Sequence, residues 1–201
     1  MTRLAAIALL MMLAACGSGG ERDDEDRGGL CGVSGLVGQR VPDVESSNRS
    51  CGIDNPVQVT RVGGIHLSQP ALMTCETARA LNRWVEGGAK PAVGRRGGGI
   101  EEFQVAAHYA CRTRNSRRGA RISEHARGQA IDISALRLRD GTRITVLDDW
   151  NGSRQDSRLL RRLHRAACGP FGTVLGPQSD RFHRDHFHFD IARYRSGPYC
   201  R

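Results

Sequence analysis

The sequence predicts an α+β fold with a small, largely antiparallel sheet and flanking helices. Three observations predict it: many short apolar or alternating runs, two amphipathic stretches with helical spacing, and no regular strand–helix–strand rhythm. The chain has 201 residues, of which 39% are hydrophobic and 25% are charged. That composition is typical of one globular domain and excludes a multi-pass membrane protein, a collagen and a coiled coil.

The N-terminus predicts export from the cytoplasm. Residues 4–15 follow a short basic lead and are uncharged, but the stretch is too short to cross a bilayer as a helix. The small residues before Cys16 resemble a bacterial lipobox, so we expect residues 1–15 to be a lipoprotein signal peptide and Cys16 to carry the lipid. An ordinary secretory signal is the alternative. Gly17 favours the outer membrane over the inner one.

Export places the other six cysteines in an oxidising compartment, where up to three disulfides are expected and every pairing stays open. The candidates are Cys31, Cys51, Cys75, Cys111, Cys168 and Cys200. No two cysteines have zinc-ribbon spacing. An exported protein meets no chromosomal DNA, so no nucleic-acid partner is predicted. The formal charge of +9 is expected to match the anionic cell wall or outer-membrane surface, or to serve solubility.

The mature chain is expected to have three parts. Residues 16–29 contain almost no hydrophobic side chain and predict a flexible tether. Residues 30–54 are rich in glycine and serine and predict an irregular cysteine-containing segment closed by a disulfide. Regular strand and helix patterns of apolar residues are found in residues 55–201, which we interpret as the main domain.

Within the main domain, local signals predict strands and two helices. Ser68 and Pro70 are typical of a helix start, and an apolar stripe continues to a stop at Gly87. Asp156 and Ser157 are expected to cap a second helix. The second helix is predicted over residues 158–167, and Asp140-Gly141 is predicted to form a turn between two strands. The predicted strands cover residues 57–59, 103–112, 130–134, 142–147, 171–175 and 187–192.

A histidine pair near the C-terminus is the first candidate site. In a strand, residues two apart face the same side, so His186 and His188 would share one space while Phe187 faces the core. Asp190 shares the histidine face and would be able to orient one imidazole. The alternative is a pair of polar residues on a solvated strand face.

His125 and Asp132 are the second candidate site. On one helix they would stand ~10.5 Å apart along the axis, whereas zinc ligands each lie about 2.0–2.2 Å from the ion. Gly128 interrupts the segment, however, and a loop followed by a strand can fold His125 back over Asp132. The alternative is a turn with a capping histidine and a structural aspartate.

Together, His125, Asp132 and His188 predict one Zn²⁺ ion of the catalytic type. Two neutral nitrogens and one carboxylate oxygen leave the fourth tetrahedral position for water, whereas a structural zinc in this chain would recruit cysteines. Such an ion lowers the pKa of its water toward ~7 and polarises a carbonyl, while a nearby base takes the proton.

The motif S-x-H-x-x-G-x-A-x-D spans residues 123–132 and is followed downstream by H-x-H. This combination resembles the superfamily of D-Ala-D-Ala metallopeptidases, lysostaphin-type endopeptidases and hedgehog domains. Over most of the main domain, the chain more closely resembles the bacterial extensin-like C-terminal domain family. The matching segments are YACR (109–112), SEHARGQAIDI (123–133), AACGPFGTVLGP (166–177) and HRDHFHFDI (183–191).

The resemblance implies the same three zinc ligands and four further site residues. His186 would be the general base or a transition-state stabiliser, and His183 would be an additional active-site histidine. Asp185 stands where D-Ala-D-Ala dipeptidases carry a catalytic glutamate, but it is shorter, so His186 is the preferred base. Arg112 is similar to the arginine that meets the substrate carboxylate or the developing oxyanion. A surface arginine is the alternative.

The remaining polar and aromatic residues are expected to be structural. His108 would pack on a strand, and His66 and His164 would lie on the surface. Trp150 would lie in the core or at the rim of a groove. Ser123 is expected to organise the turn that follows it, because no nucleophile motif surrounds it.

These observations predict a cell-envelope lipoprotein on the periplasmic side, with a zinc peptidase domain that hydrolyses peptidoglycan cross-links or stem peptides. Peptidoglycan and, through Cys16, the membrane are the expected partners. The alternative is a non-catalytic module that holds zinc and binds peptidoglycan or serves a structural role, because fold alone does not decide function.

Overall fold

The structure, a computed structural model, describes residues 28–201 and has the predicted α+β class. The strands are β1 (Leu36–Arg40), β2 (Val57–Val62), β3 (Ile65–Met73), β4 (Ile100–Ala107), β5 (Ala130–Leu138), β6 (Arg143–Thr145), β7 (Thr173–Leu175), β8 (Phe187–Asp190) and β9 (Tyr199–Cys200). They form one sheet in the order β1-β2-β3-β4-β5-β8-β7-β9, and β6 pairs with β5. The β3–β4 and β7–β9 pairs are parallel and the other pairs described are antiparallel, as predicted. The expected signal peptide, Cys16 and nearly all of the tether lie outside the described residues.

Helices cover one face of the sheet. They are α1 (Cys75–Trp84), a π-helical turn (Val85–Ala89), α2 (Lys90–Val93), α3 (Val146–Asp149) and α4 (Arg154–Ala167). Trp84 packs on Phe103 and Phe189 of the sheet, and its indole N–H donates to the Leu163 carbonyl of α4 at 3.0 Å. The core therefore lies between these helices and the sheet. In the part of the chain described, no helix is long and apolar enough to span a bilayer.

Helix α1 begins later than predicted. Ser68 and Pro70 lie in β3, in a stretch that the ladder with β2 skips, so the missing N–H of Pro70 breaks no pairing with β2. Thr74 is the cap instead, because its side-chain oxygen accepts from the Thr77 backbone N–H at 3.2 Å.

The predicted stop at Gly87 is also wrong, because the π-helical turn and α2 continue the helical path to Val93. Gly88 lies against α4, where an added Cβ would be 2.7 Å from the Ala166 Cβ. Gly88 therefore allows two helices to approach closely, and the glycines do not end the helical path.

Several other predicted boundaries shift. The strand predicted over 103–112 ends at Ala107, and α3 replaces the end of the strand predicted over 142–147. The second helix, α4, begins at Arg154, because the Ser153 hydroxyl accepts from the Asp156 N–H at 3.1 Å and caps it.

All six predicted cysteines form disulfides, which are Cys31–Cys75, Cys51–Cys111 and Cys168–Cys200. Segment 30–54 is therefore tied to distant parts of the chain and is not closed on itself as expected. It is also not irregular throughout, since it contains β1, which pairs with β2.

The histidines predicted to lie on the surface divide into two environments. His66 is exposed, as expected. His164 is only 8% exposed, because α4 turns it inward against Trp150 and Phe187. Trp150 itself is 4% exposed and belongs to the core.

Acid is expected to destabilise the protein through His164. Burial lowers the pKa of this imidazole below its ordinary value, a hydrogen bond to the Arg201 carbonyl opposes the shift, and nearby arginines add to it. The unfolded chain then binds the proton more readily than the folded one. The contribution of His164 to the free energy of unfolding is therefore complete above about pH 6.5 and is lost as the pH falls through the lowered folded-state pKa. The loss reaches up to about 1.4 kcal/mol per pH unit.

Denaturant unfolding at several pH values checks this prediction. His164→Gln should lose stability less steeply on acidification than the wild type. His66→Gln, which changes an exposed histidine, should follow the wild type. The same pH dependence in all three proteins would contradict the prediction.

Candidate metal centre

Two adjacent strands bring Asp132 and His188 side by side. β5 and β8 pair in antiparallel fashion, with Asp132 directly opposite His188. Phe187 and Phe189 contact the core tryptophans on the helix-covered face. His188 therefore points away from the core, toward the side of the sheet that the sequence periodicity predicted.

A turn folds His125 back over Asp132. His125 lies in a short 3-10 helix, Glu124–Arg127, and the Ser123 hydroxyl caps that helix by accepting from the His125 N–H at 3.4 Å. Gly128 then adopts a left-handed conformation with φ of 62° and leads into β5. His125 Nε2 consequently lies 3.2 Å from Asp132 Oδ1.

Gly128 has both a local and a tertiary role. Its positive φ disfavours any side chain, and an added Cβ would lie 2.4 Å from Cδ1 of Ile53. Its carbonyl oxygen accepts from the Thr74 N–H and from the Thr77 hydroxyl, both at 2.9 Å. The glycine of the motif thus joins the turn to the start of α1.

The three predicted ligands converge in a buried cluster. His188 Nδ1 is 2.8 Å from Asp132 Oδ1 and 3.1 Å from His125 Nε2. Ligand atoms around a tetrahedral zinc ion lie about 3.3 Å from one another, which is close to these separations. The cluster could therefore hold a metal ion.

The outer nitrogen of each imidazole is bound to an acceptor. His125 Nδ1–H donates to the His108 carbonyl at 2.6 Å, and His188 Nε2–H donates to Asp190 Oδ2 at 3.0 Å. These acceptors favour protons on the outer nitrogens, so each ring in its neutral form presents the lone pair of its inner nitrogen to Asp132. Facing lone pairs repel unless a cation or a proton lies between them, so this donor set fits a divalent ion.

The carboxylates make the cluster favourable for positive charge. Burial alone would lower the pKa of His188, but hydrogen bonds to Asp132 and Asp190 outweigh it and raise that pKa to about 9. A proton on His188 Nδ1 and a divalent ion are therefore alternative cations at the same position beside Asp132. Burial likewise favours a higher pKa for Asp132, but hydrogen bonds from His125 and His188 hold it well below its usual range. Asp132 is therefore ionised, as a metal ligand must be.

A cavity of about 460 Å³ opens on the cluster. Arg112 lies in its wall, so the structure brings the predicted arginine to the same space as the predicted ligands. The wall residues that sequence reasoning missed include Arg114, Tyr194 and Tyr199. No local pattern marks them, because they reach the cavity only through the packing of their segments.

His186 faces the cluster from the cavity wall. Its Nε2 is 3.7 Å from Asp132 Oδ2, and its Nδ1–H donates to Asp185 Oδ1 at 2.7 Å. The Asp185 side chain is 65% exposed and lies outside the cavity wall. The structure therefore places Asp185 against His186 and not against the cavity.

His183 also lies in the cavity wall and has its own carboxylate partner. Its Nδ1–H donates to Asp180 Oδ1 at 2.8 Å, and its ring centroid is 5.3 Å from that of His186. Burial lowers the pKa of His183, although Asp180 opposes the shift. Sequence reasoning missed Asp180; the signal that would have found it is an aspartate three residues before a histidine in a turn.

The prediction that His108 packs on a strand is wrong, because β4 ends one residue before it. Its carbonyl orients His125, and its ring Nδ1 accepts from the Leu72 N–H at 3.3 Å. Every residue has a backbone carbonyl, so this contact does not require a particular residue type at position 108 and the sequence could not reveal it.

Comparison with known proteins supplies the family. The family described as "Extensin-like protein C-terminus" matches residues 31–201. The chain belongs to this family. The matched range of this extensin-like protein includes the three disulfides, the cluster and the cavity. It also includes nearly all of segment 30–54, which was expected to lie outside the main domain. No curated protein and no solved structure matches the chain.

Proposed function

We propose that this extensin-like domain is a zinc-dependent peptidase that hydrolyses peptidoglycan cross-links or stem peptides. One observation carries the proposal: two nitrogen donors and one carboxylate donor converge at the wall of a solvent-open cavity. Three protein ligands with an open position are typical of catalytic zinc. All six cysteines in residues 28–201 are disulfide-bonded, so these thiols cannot complete a closed structural site.

The ligand residues and their partners are arranged for such an ion. Zn²⁺ held by His125, Asp132 and His188 would supply a Lewis acid that activates water and polarises an amide carbonyl. The His108 carbonyl and the Asp190 carboxylate fix both ring orientations and keep lone pairs on the inner nitrogens. The protein's own residues provide the remaining chemistry.

His186 is the general base in this proposal. Because Asp185 accepts from its Nδ1–H, the lone pair is on Nε2, which is the atom nearest the cluster. Nε2 can therefore take a proton from the attacking water. Asp185 stabilises the imidazolium that forms, which makes it a positioning residue.

His183 and Arg112 complete the proposed site. His183, oriented by Asp180, lies close enough to His186 to hydrogen-bond a substrate held in the same cavity. Among the described residues, no carboxylate pairs with the Arg112 guanidinium. This guanidinium is therefore available for a stem-peptide carboxylate or for the developing oxyanion.

Peptidoglycan is proposed as the substrate because of the expected location and charge of the chain. The signal peptide and lipidated Cys16 predicted from the sequence would hold the domain on the periplasmic side of the envelope. The formal charge of +9 suits an anionic wall. The resemblance to D-Ala-D-Ala metallopeptidases and lysostaphin-type endopeptidases supports the same substrate class.

Digestion of purified sacculi by the zinc-loaded full chain tests the proposal. The wild type should release soluble peptides, and His186→Ala should release them about 10²–10⁴-fold more slowly while keeping one zinc ion per chain. His66→Ala removes an exposed histidine outside the cavity and should match the wild type. Chromatography follows the fragments, and elemental analysis follows the metal.

Two results would overturn parts of the proposal. If the zinc-loaded wild type leaves sacculi intact and only co-sediments with them, the domain is a non-catalytic zinc module and not a peptidase. Equal rates for His186→Ala and the wild type would exclude His186 as the base.

A further inference from the structure

Helix α4 carries an arginine face that the proposed function does not use. Its apolar side chains are buried against the core, and these are Leu159, Leu160, Leu163 and Ala167. Its other side lines a shallow depression on the surface with five arginines, which we call the arginine face: Arg154, Arg158, Arg161, Arg162 and Arg165. Four of the five are exposed, and Arg161, which lies over the Trp150 ring, is half-buried.

The arginine face has no carboxylate partner in the described chain. The one acidic residue of α4, Asp156, accepts from Arg96 at 2.6 Å and from the Ser153 hydroxyl at 2.5 Å. Each arginine of the face has another arginine three or four residues away, and like charges at this spacing repel. Positive charge is therefore concentrated here without internal compensation.

The arginine face and the metal cluster lie on opposite sides of the sheet. His164 of α4 packs on Phe187, whereas the next residue, His188, points to the cluster. A surface that binds the arginine face would therefore leave the cavity accessible from the other side.

We propose that the arginine face docks the domain onto an anionic phospholipid membrane surface. The 14 residues of α4 span ~21 Å, and side chains along one exposed ridge suit a flat array of phosphate groups better than an enclosed ligand. Guanidinium groups also bind phosphate oxygens in bidentate fashion.

The N-terminal sequence favours a membrane over other polyanions. The lipid predicted at Cys16 would hold the domain close to a membrane, so the arginine face would meet anionic headgroups at high effective concentration. A domain docked through α4 would present its cavity away from the membrane.

Vesicle partition of the full chain tests the proposal, with phosphatidylglycerol–phosphatidylcholine vesicles compared with phosphatidylcholine alone. Each arginine near an anionic surface strengthens binding about fivefold, so the triple variant should bind anionic vesicles about 100-fold more weakly than the wild type. That variant is Arg154→Gln/Arg158→Gln/Arg165→Gln. Binding of the wild type should also weaken with salt.

A matched triple variant removes the same charge elsewhere. Arg117→Gln/Arg118→Gln/Arg121→Gln changes exposed arginines outside α4 and should bind within about threefold of the wild type. Circular dichroism checks that both variants fold, which is expected because every changed side chain is exposed.

Three outcomes would overturn membrane docking. They are equal losses in the two triple variants, equal binding of the wild type to neutral and anionic vesicles, and α4-dependent binding to polyphosphate or duplex DNA without binding to vesicles. Vesicle binding requires neither zinc nor hydrolysis, so its failure is distinct from failure of the peptidase proposal.

Discussion

Asp132→Asn is expected to abolish zinc binding and to leave the domain folded. The substitution keeps the size of the side chain but removes its charge and one of the oxygens that face His125 and His188. Loss of a residue that only orients a ligand already costs about 10–100-fold in metal affinity, so loss of a ligand should cost more than about 100-fold. Competition with a chelator measures the affinity, and circular dichroism measures folding.

Asp190→Asn provides a graded comparison. Its amide would present donor hydrogens to His188 Nε2 and drive the ring proton to Nδ1, the atom that faces Asp132. Zinc affinity should fall by about 10–100-fold. Asp54→Asn, at an exposed position, should leave it unchanged. Wild-type affinity in Asp132→Asn would contradict the assignment of the cluster as the metal site.

Removal of the Cys51–Cys111 disulfide is expected to lower the free energy of unfolding and to weaken the metal site. The bond joins residues 60 positions apart, and closing a loop of that length stabilises by about 4 kcal/mol in the chain-entropy treatment. Ala110, beside Cys111, donates its N–H to the His125 carbonyl at 3.2 Å. Release of this segment should therefore loosen the surroundings of His125 and reduce zinc affinity.

Cys168→Ser/Cys200→Ser is the matched control for Cys51→Ser/Cys111→Ser. Its bond joins residues 32 positions apart, so a similar loss of about 4 kcal/mol is expected. Both double variants should melt about 8–16 °C lower by calorimetry, but only the first should lose zinc affinity. Equal zinc affinity in the two variants would contradict the link between the Cys51–Cys111 bond and the site.

Local periodicity made much of the cluster predictable. Side chains alternate along a strand, so the opposite orientations of Phe187 and His188 need no knowledge of neighbouring strands. The turn between His125 and Asp132 was predictable for a similar reason, because a glycine is the residue that most readily reverses the backbone there.

Tertiary contacts overrode local preference at other positions. Ser68 and Pro70 favour a helix start, but β3 is held between β2 and β4, and that placement decides their conformation. The burial of His164 depends on which side of α4 meets Trp150, so its polar character alone led to the wrong prediction.

The sequence by itself determined the donor types, the turn at Gly128 and the number of cysteines available for disulfides, because these depend on residue identity and on backbone geometry over a few residues. Only the tertiary structure decided that His125 meets His188, 63 residues away, because that contact depends on the pairing of β5 with β8. The same holds for the cysteine pairs and for the position of the arginine face across the sheet from the cavity. These depend on how distant segments pack, and short-range patterns do not specify that packing.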